Sequence, residues 1–464
     1  MNINELDKKH IWHPYTQMKT CGEHIAITRG EGSRIFDSNG KEYIDAISSW
    51  WVNLHGHSHP YIAEKVFEQM TTLEHVMFGG FTHEPATQIA HRLTKHLPSN
   101  QQKFFFSDNG STAVETALKI TIQYWKNKGK TKTRFLAFEN AFHGDTFGAM
   151  STSGRSVFHE AFSDLLFEVA HLPVPTAGNE EKTIAALEKE LERDDIAGFI
   201  YEPLVQGAAG MICYEPEILN EMLIRCKKKG VLCISDEVMT GFYRTGTFMA
   251  SQQCETPSDI LCMSKGLTGG VLPMALTSCT LDIYNVFLDD SIGKAFLHGH
   301  SFTANPIGCA TAIASLDLLE KESCLERIAT INKRHLQFKK EIATHPMAAN
   351  LYVRGTIFRM EFEQGAAASY DHKLRDQLYD FFMDKGLLLR PLGNIVYILP
   401  PYCITDEELD KIYNRTLYTI TILLFFILLI SRSIKYLLVT TISLVANISI
   451  AFLLYYFFKI ESFY

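Results

Sequence analysis

The chain has 464 residues, of which 46% are hydrophobic and 21% are charged, and its formal net charge is −8. This composition is typical of a globular protein with ample material for a core. The negative net charge gives no indication of nucleic-acid binding through a positively charged surface. The ten cysteines lack metal-ligand spacing and several stand inside apolar runs. We therefore expect small buried side chains in a reducing compartment and no zinc site. The N-terminus lacks the apolar stretch of a signal peptide, so we expect a cytoplasmic protein.

The order of predicted elements indicates an α/β fold. Residues 25–45 are typical of short strands joined by Gly and Asn-Gly turns. From about residue 60 onward, helical stretches alternate with short apolar runs at 103–106, 134–138, 197–203, 230–238 and 259–264. Such runs, buried on both faces and separated by helices, predict a mostly parallel sheet.

Polar side chains follow each of these apolar runs at the point where the predicted strand ends. They belong to residues 107–112, 139–145, 202–206, 236–237 and 265. The carboxyl ends of parallel strands lie along one edge of a sheet, and open α/β sheets bind their ligands there. The sequence therefore predicts one site built from several strand ends.

The segment from Asn109 to Thr112 turns tightly into a predicted helix. Backbone N–H groups and hydroxyls at such a helix start bind anions and suit a phosphate group. Taken alone, the segment favours ordinary capping of the helix by Asn109 or Ser111.

Three more side chains at this edge have both an ordinary and a chemical interpretation. Asp236 is either a salt-bridged carboxylate or the partner of a protonated pyridine nitrogen. Phe142 is either a core side chain or a ring stacked on a planar cofactor. Lys265 is either a loop lysine in water or a partly desolvated amine that forms a Schiff base with an aldehyde. Together with the helix start, these groups match the needs of pyridoxal 5′-phosphate, so we favour the reactive amine.

Three segments carry a resemblance to the class III aminotransferases, which are pyridoxal-phosphate-dependent transferases of fold type I. They are DEVMTGFYRTG, DILCMSKGLTGG and HGHSFTANPIGCA, and the resemblance runs over roughly residues 10–415. It implies a homodimer with active sites at the subunit interface. It also implies a large cofactor domain at residues 56–305, and a smaller α+β domain made of residues 1–55 and 306–416.

Other segments narrow the resemblance within the family. They are WHPYTQM, DAISSWWVNLHGHSHP, HVMFGGFTHEPA, AFHGDTFGAMS and LRPLGNIVYILPPY. They are similar to the members that convert 8-amino-7-oxononanoate to 7,8-diaminononanoate in biotin biosynthesis, with S-adenosylmethionine as amino donor. Three alternatives stay open: the same step with lysine as donor, another class III ω-amino acid aminotransferase, and an inactive membrane-tethered scaffold.

By matching position, the resemblance implies roles for individual residues. Lys265 would be the Schiff-base lysine and proton shuttle, and Asp236 would hold the pyridine nitrogen protonated. The other cofactor-binding residues would be Gly110, Ser111 and Phe142, with Ser301 reaching the phosphate from the second subunit. The substrate pocket would contain Tyr15, Trp50, Asp145, Arg244, Gly299, Arg390 and Tyr397.

The two arginines and three aromatic residues of this set carry more specific expectations about substrate binding and the amino donor. Arg390 is favoured as the clamp for the substrate carboxylate, and Arg244 as a residue that orders the site. Phe142 stands where the best-known members have tyrosine, which weakens the assignment of the donor. Trp50 and Tyr15 support S-adenosylmethionine.

The hydrophobic tail at residues 417–464 departs from the family. The runs 417–430 and 436–458 carry no charge, and Arg432 and Lys435 lie between them. The second run is long enough to span a bilayer and the first is marginal. One interpretation is a membrane anchor, and the other is a frameshifted or fused end that did not evolve with the enzyme. We favour the second, because the catalytic part has no evident need of a membrane.

Overall fold

A seven-stranded sheet occupies the middle of the chain in this computed structural model, which describes residues 2–155, 159–362 and 373–430 together with residues 444 and 447. The strands are β1 (Ile27–Glu31), β2 (Arg34–Asp37), β3 (Glu42–Asp45), β4 (Lys103–Ser107), β5 (Arg134–Phe138), β6 (Val169–Leu172), β7 (Ile196–Tyr201), β8 (Val205–Gln206), β9 (Ile212–Cys213), β10 (Leu232–Asp236), β11 (Ile260–Met263), β12 (Ala275–Cys279), β13 (Ala348–Arg354), β14 (Ile357–Phe362), β15 (Leu387–Leu388) and β16 (Ile395–Ile398). The helices are α1 (Ile3–His10), α2 (Ser48–Trp51), α3 (Pro60–Thr72), α4 (Glu84–Leu93), α5 (Gly110–Asn127), α6 (Phe147–Thr152), α7 (Glu180–Glu190), α8 (Pro216–Lys228), α9 (Leu281–Asn285), α10 (Pro306–Leu319), α11 (Glu322–Ile342), α12 (Lys373–Asp384) and α13 (Asp406–Ile430).

The strand order of the large sheet is β4-β12-β11-β10-β7-β5-β6. Strand β12 runs antiparallel to both neighbours, and the other pairs are parallel. The prediction of a mostly parallel sheet is therefore confirmed. Strands β6 and β12 were not predicted. Their sequences, VAHL and ALTSC, are short and lack the run of β-branched and aromatic residues that indicates a strand.

The central strands are buried, and the helix that follows β4 begins at the same edge of the sheet where β10 and β11 end. Every residue of β7, β10, β11 and β12 is buried. Helix α5 packs against β11 and β12 through a buried face that includes Val114, Ala117 and Leu118. Because α5 follows β4 after only a short turn, its N-terminus lies at the same edge as the ends of β10 and β11.

The N-terminal and C-terminal parts of the chain share a second sheet, ordered β1-β2-β3-β15. Strand β15 pairs in parallel with β3, and Arg34 on β2 forms an ion pair of 2.6 Å with Glu408 on α13. A third sheet, β13-β14-β16, belongs to the C-terminal part alone. These pairings fit a smaller domain built from both ends of the chain, although the boundaries 55/56, 305/306 and 416/417 stay a prediction.

Helix α13 continues from Asp406 to Ile430 and so includes the first apolar run of the tail. Within the described ranges, no helix is both long and apolar enough to cross a membrane. The second apolar run, 436–458, lies outside the described residues except for positions 444 and 447. The expectations about an anchor or a fused end therefore fall mostly on residues that the structure does not describe.

Candidate active site

The predicted strand ends meet around one cavity of about 590 Å³. One wall consists of residues 108–111 after β4, 142–145 after β5, Glu202 after β7, Asp236 after β10 and Lys265 after β11. We call this the sheet wall. The opposite wall contains Tyr15, residues 49–52, Arg390, Leu392 and Tyr397, and we call it the facing wall.

Lys265 begins a 3-10 turn directly after β11 and has a positive φ of 45°. Its Nζ lies 4.9 Å from the ring centroid of Trp51. Burial lowers the pKa of the Lys265 amine, and the charges of Asp236 and Glu202 only partly oppose that effect. A lowered pKa increases the neutral, nucleophilic fraction of the amine near neutral pH.

The glycines after Lys265 let this loop approach the facing wall. Gly269 and Gly270 have φ values of 62° and 83°. A Cβ on Gly270 would lie 2.7 Å from the carbonyl group of Val52. Glycine is needed at positions 269 and 270 because the backbone there has positive φ and packs closely against Val52.

Asp236 forms a buried pair with His143 at the ends of β10 and β5. The distance from Asp236 Oδ2 to His143 Nδ1 is 2.7 Å, and Asp236 Oδ1 accepts a hydrogen bond from the Val238 N–H at 3.1 Å. Among the described residues, His143 Nε2 has no hydrogen-bond partner. His143 belongs to the polar segment 139–145, but no site role was predicted for it, because its pairing with Asp236 depends on the sheet order rather than on any local motif.

The start of helix α5 is capped by a side chain and also presents free backbone N–H groups to the cavity, so it is compatible with both predicted interpretations, helix capping and phosphate binding. Asn109 Oδ1 accepts from the Thr112 N–H, and Thr112 Oγ1 accepts from the Asn109 N–H, both at 3.1 Å. This capping leaves the first-turn N–H groups of Gly110 and Ser111 without intrahelical partners at the cavity. A Cβ on Gly110 would lie 2.7 Å from Val238 Cγ1, so glycine is required for this close packing.

Glu202 fixes the loop that carries Phe142. Its Oε1 accepts from the Phe142 N–H at 3.0 Å, and its Oε2 accepts from the Gly207 N–H at 2.9 Å. Burial raises the pKa of Glu202 to about 7. The Phe142 ring is half-buried and lines the cavity, so its position depends on this carboxyl group.

Contacts among four predicted substrate residues connect the facing wall to the sheet wall. The Arg390 guanidinium lies 4.4 Å from the Trp50 ring centroid. Tyr15 meets Trp50 edge-on with ring centroids 5.4 Å apart, and its hydroxyl donates to the Asp145 carboxylate. The Asp145 N–H in turn donates to Ser111 Oγ at 3.1 Å, which joins this cluster to the start of α5.

Tyr397 lies in the facing wall, whereas Arg244 lies behind it. The Tyr397 hydroxyl accepts from Trp51 Nε1 at 3.1 Å. Arg244 is 1% exposed and does not line the cavity. Its guanidinium donates to three backbone carbonyl oxygens, those of Pro400 at 3.0 Å, Trp51 at 3.3 Å and Asn53 at 3.0 Å. This geometry favours an ordering role for Arg244 over direct contact with substrate.

Gly299 and Ser301 lie away from the cavity of their own chain. Both are exposed, and neither lines the cavity. The adjacent side chains Leu297 and Phe302 are 70% and 64% exposed. A role for this segment at the cofactor phosphate therefore requires a second subunit, as the resemblance implies.

Comparison with known proteins gives the family. Residues 16–419 match the model of the class-III aminotransferases. The chain is 45% identical over 412 residues to the adenosylmethionine-8-amino-7-oxononanoate aminotransferase of Synechococcus elongatus, a match that covers 87% of this chain and 96% of that protein. It is 38% identical over 443 residues to the protein of the same name from Geobacter sulfurreducens, covering 90% of this chain and 98% of that one.

Solved structures agree with this assignment. The crystal structure of the adenosylmethionine-8-amino-7-oxononanoate aminotransferase from Methanocaldococcus jannaschii superposes with a TM-score of 0.84 at 35% identity, covering 89% of this chain and 98% of that chain. The omega transaminase from Pseudomonas jessenii in complex with PMP gives a TM-score of 0.85 at 26% identity, covering 89% of this chain and 96% of that chain. The chain belongs to the class III aminotransferase family, and its fold is that of the fold-type I transaminases.

Proposed function

We propose that the chain transfers an amino group from S-adenosylmethionine to 8-amino-7-oxononanoate and so makes 7,8-diaminononanoate in biotin biosynthesis. The cofactor is pyridoxal 5′-phosphate, and the location is the cytoplasm. The observation that carries the proposal is the cavity that combines the Lys265 amine, the Asp236 carboxylate and the start of α5. Relatives that match over most of the chain are named for this reaction, which supports the choice of substrates.

The residues of the sheet wall fit pyridoxal phosphate in their chemistry. The first-turn N–H groups of Gly110 and Ser111 suit a phosphate group. The Asp236 carboxylate, held by His143 at 2.7 Å, suits a protonated ring nitrogen, and the Phe142 ring suits a stacked pyridine. When bound there, the cofactor supplies an electron sink for the carbon that loses its proton.

Lys265 has two tasks in the proposed reaction. Its amine holds the cofactor before substrate arrives, and the burial that lowers its pKa keeps a useful fraction of it neutral. Once displaced by the donor amine, Lys265 Nζ would carry the proton that leaves the donor α-carbon. An amine with a lowered pKa is a more effective general base and acid near neutral pH.

The facing wall would select the substrates. The Arg390 guanidinium offers a bidentate clamp for the carboxylate of 8-amino-7-oxononanoate, and its stacking on Trp50 holds it in place. The aromatic faces of Trp50 and Tyr15 suit a stacked adenine and a sulfonium cation. The hydroxyl of Tyr15 is held by Asp145, which orders the Tyr15 ring against Trp50.

The active unit we propose is a homodimer in which Gly299 and Ser301 of the partner subunit complete the phosphate site. The exposed apolar side chains beside this segment, Leu297 and Phe302, support an interface here. The proposed domains are 56–305 for the cofactor and 1–55 with 306–416 for closure over substrate.

The test uses the full chain purified with pyridoxal phosphate. S-adenosylmethionine, lysine and alanine are added separately while the visible absorption band of the bound cofactor is recorded. We expect loss of the band with S-adenosylmethionine alone and its return on adding 8-amino-7-oxononanoate.

Each other result names another function. Loss of the band only with lysine would keep the biotin step and change the donor, which the missing hydroxyl of Phe142 makes the leading alternative. A response only to alanine would identify an ω-amino acid aminotransferase. A folded protein with no visible band at all would be the inactive scaffold.

A further inference from the structure

The facing wall carries its two tryptophans on a left-handed turn. Ser48, Ser49, Trp50 and Trp51 have φ values of 52°, 45°, 70° and 73°. None of the four is glycine, and only glycine adopts this region without a steric penalty from Cβ. Four such residues in succession persist only where the surrounding structure holds them.

A buried carboxylate holds the first half of this turn. Asp45 is fully buried at the end of β3. Its Oδ1 accepts from the Ser49 N–H at 2.9 Å and from the Ile47 N–H at 3.3 Å. Its Oδ2 accepts from Ser49 Oγ at 2.7 Å and lies 2.9 Å from His57 Nε2. All of these contacts converge on one side chain, so the carboxylate fixes both the backbone and the side chain of Ser49.

Two further contacts tie the rest of the turn to distant parts of the chain. Ser48 Oγ donates to the Leu399 carbonyl oxygen at 2.7 Å. Arg244 donates to the carbonyl oxygen of Trp51 at the end of the turn. The turn is therefore held at its beginning by Asp45 and Ser48 and at its end by Arg244.

The conformation of the turn decides where the two indole rings lie. The Trp51 ring lies 4.9 Å from Lys265 Nζ, and the Trp50 ring lies 4.4 Å from the centre of the Arg390 guanidinium. Successive side chains of a left-handed turn progress around its axis in the opposite sense to those of a right-handed turn. If the turn relaxed to a right-handed conformation, the two rings could not keep both contacts.

We propose that Asp45, oriented by His57, is a positioning residue that holds this left-handed turn and thereby places Trp50 and Trp51 in the substrate wall. Its effect on substrates rests on the proposed function, whereas its effect on the turn does not. The His57 side chain lies 2.9 Å from the carboxylate through Nε2 and acts by orienting it.

Glycine provides a direct test, because it adopts positive φ without needing the carboxylate. We compare Asp45→Ala with the double variant Asp45→Ala/Ser49→Gly. The first readout is the near-ultraviolet circular dichroism of tryptophan in the cofactor-free full chain. Of the four tryptophans in the chain, Trp12 is 87% exposed and Trp125 lies on α5 away from the turn. Changes in the signal therefore report on Trp50 and Trp51.

We expect Asp45→Ala to lose the tryptophan signal of the turn and to raise KM for S-adenosylmethionine by about tenfold, with a smaller change in kcat. The double variant should recover most of the signal and most of the affinity. Wild-type dichroism and KM in Asp45→Ala would overturn the proposal. A double variant no better than the single one would overturn it as well.

A matched control separates positioning from general stability. Asp37 is also a buried aspartate, and its Oδ1 accepts from the N–H groups of Asn39 and Lys41, each at 2.9 Å. Asp37→Ala should lower stability without changing the tryptophan signal or KM.

A milder variant covers the case in which Asp45→Ala fails to fold. Ser49→Ala removes only the 2.7 Å hydrogen bond to Asp45 and should shift the dichroism in the same direction by a smaller amount. No shift in Ser49→Ala would then overturn the proposal. If wild type does not react with S-adenosylmethionine, the proposed function fails, while the dichroism still decides the role of Asp45.

Discussion

The two walls of the cavity are built in different ways. The sheet wall takes Ser111, Asp236 and Lys265 from the ends of buried strands or from the helix that follows one. The facing wall takes Trp50 and Trp51 from a left-handed turn that is held by contacts to distant residues. The difference teaches that sheet topology brings the proposed catalytic groups together, whereas the placement of the proposed substrate-binding rings depends on hydrogen bonds between remote parts of the chain.

The largest loss of activity is expected from a change at Lys265 in the sheet wall. Lys265→Ala removes the amine that we propose both holds the cofactor and carries the proton, so we expect turnover to fall by at least about 10³-fold. The measurement is product formation by the full chain with saturating cofactor and substrates. Lys128→Ala, at the opposite end of α5 from the cavity, should behave as wild type. Near-wild-type turnover in Lys265→Ala would contradict the mechanism.

In the facing wall, a change at Arg390 should weaken substrate affinity rather than slow the chemical step. Arg390→Lys keeps the charge but loses the planar fork and the stacking on Trp50, so we expect KM for 8-amino-7-oxononanoate to rise by about 10- to 100-fold. Arg29→Lys is the matched control, because the Arg29 guanidinium also stacks on a ring, that of Phe36 at 3.7 Å, away from the cavity. An unchanged KM in Arg390→Lys would remove this residue from the carboxylate clamp.

Glu202 makes the sheet wall sensitive to pH. Burial raises its pKa from 4.5 to about 7 in the folded protein. The folded state therefore binds an extra proton between these values, and the stability that this proton gives is lost as pH rises through about 7.

Comparison with Glu202→Gln measures that loss. We expect wild type to lose up to about 3 kcal/mol of unfolding free energy relative to Glu202→Gln as pH rises across this range. Urea unfolding at each pH gives the difference, and the exposed Glu64→Gln serves as control. A difference that stays constant with pH would show that the pKa of Glu202 is the same in the folded and unfolded states.

The smallest effect is expected at Tyr397, a residue of the facing wall. Tyr397→Phe removes the acceptor of the 3.1 Å hydrogen bond from Trp51 Nε1, which should cost about 1 kcal/mol of unfolding free energy. It should also weaken substrate affinity by a few-fold, because Trp51 is less firmly held. Tyr43→Phe, which loses a buried hydroxyl bonded to Asp37, should cost similar stability and leave affinity unchanged. Equal effects of both variants on affinity would argue against a role for Trp51 placement.

The same difference between the walls explains what could be predicted from sequence. Apolar runs with polar ends located β4, β5, β7, β10 and β11, because a strand and the residues after it are adjacent in the chain. Strand β12 was not predicted, because its sequence ALTSC lacks the run of β-branched and aromatic residues that indicates a strand. The pairing of His143 with Asp236 spans 93 positions and that of Ser48 with Leu399 spans 351. No local pattern reports such contacts, and Trp50, Arg390 and Tyr397 were assigned only through the family resemblance.

The central claim is that Lys265 holds pyridoxal phosphate at the sheet wall. The most direct test reduces the full-length holoprotein with sodium borohydride and locates the pyridoxyl group by peptide mass spectrometry. We predict modification of Lys265 alone, and its loss when S-adenosylmethionine is added before the reductant. Modification of a different lysine, or none in a protein that has bound the cofactor, would contradict the account.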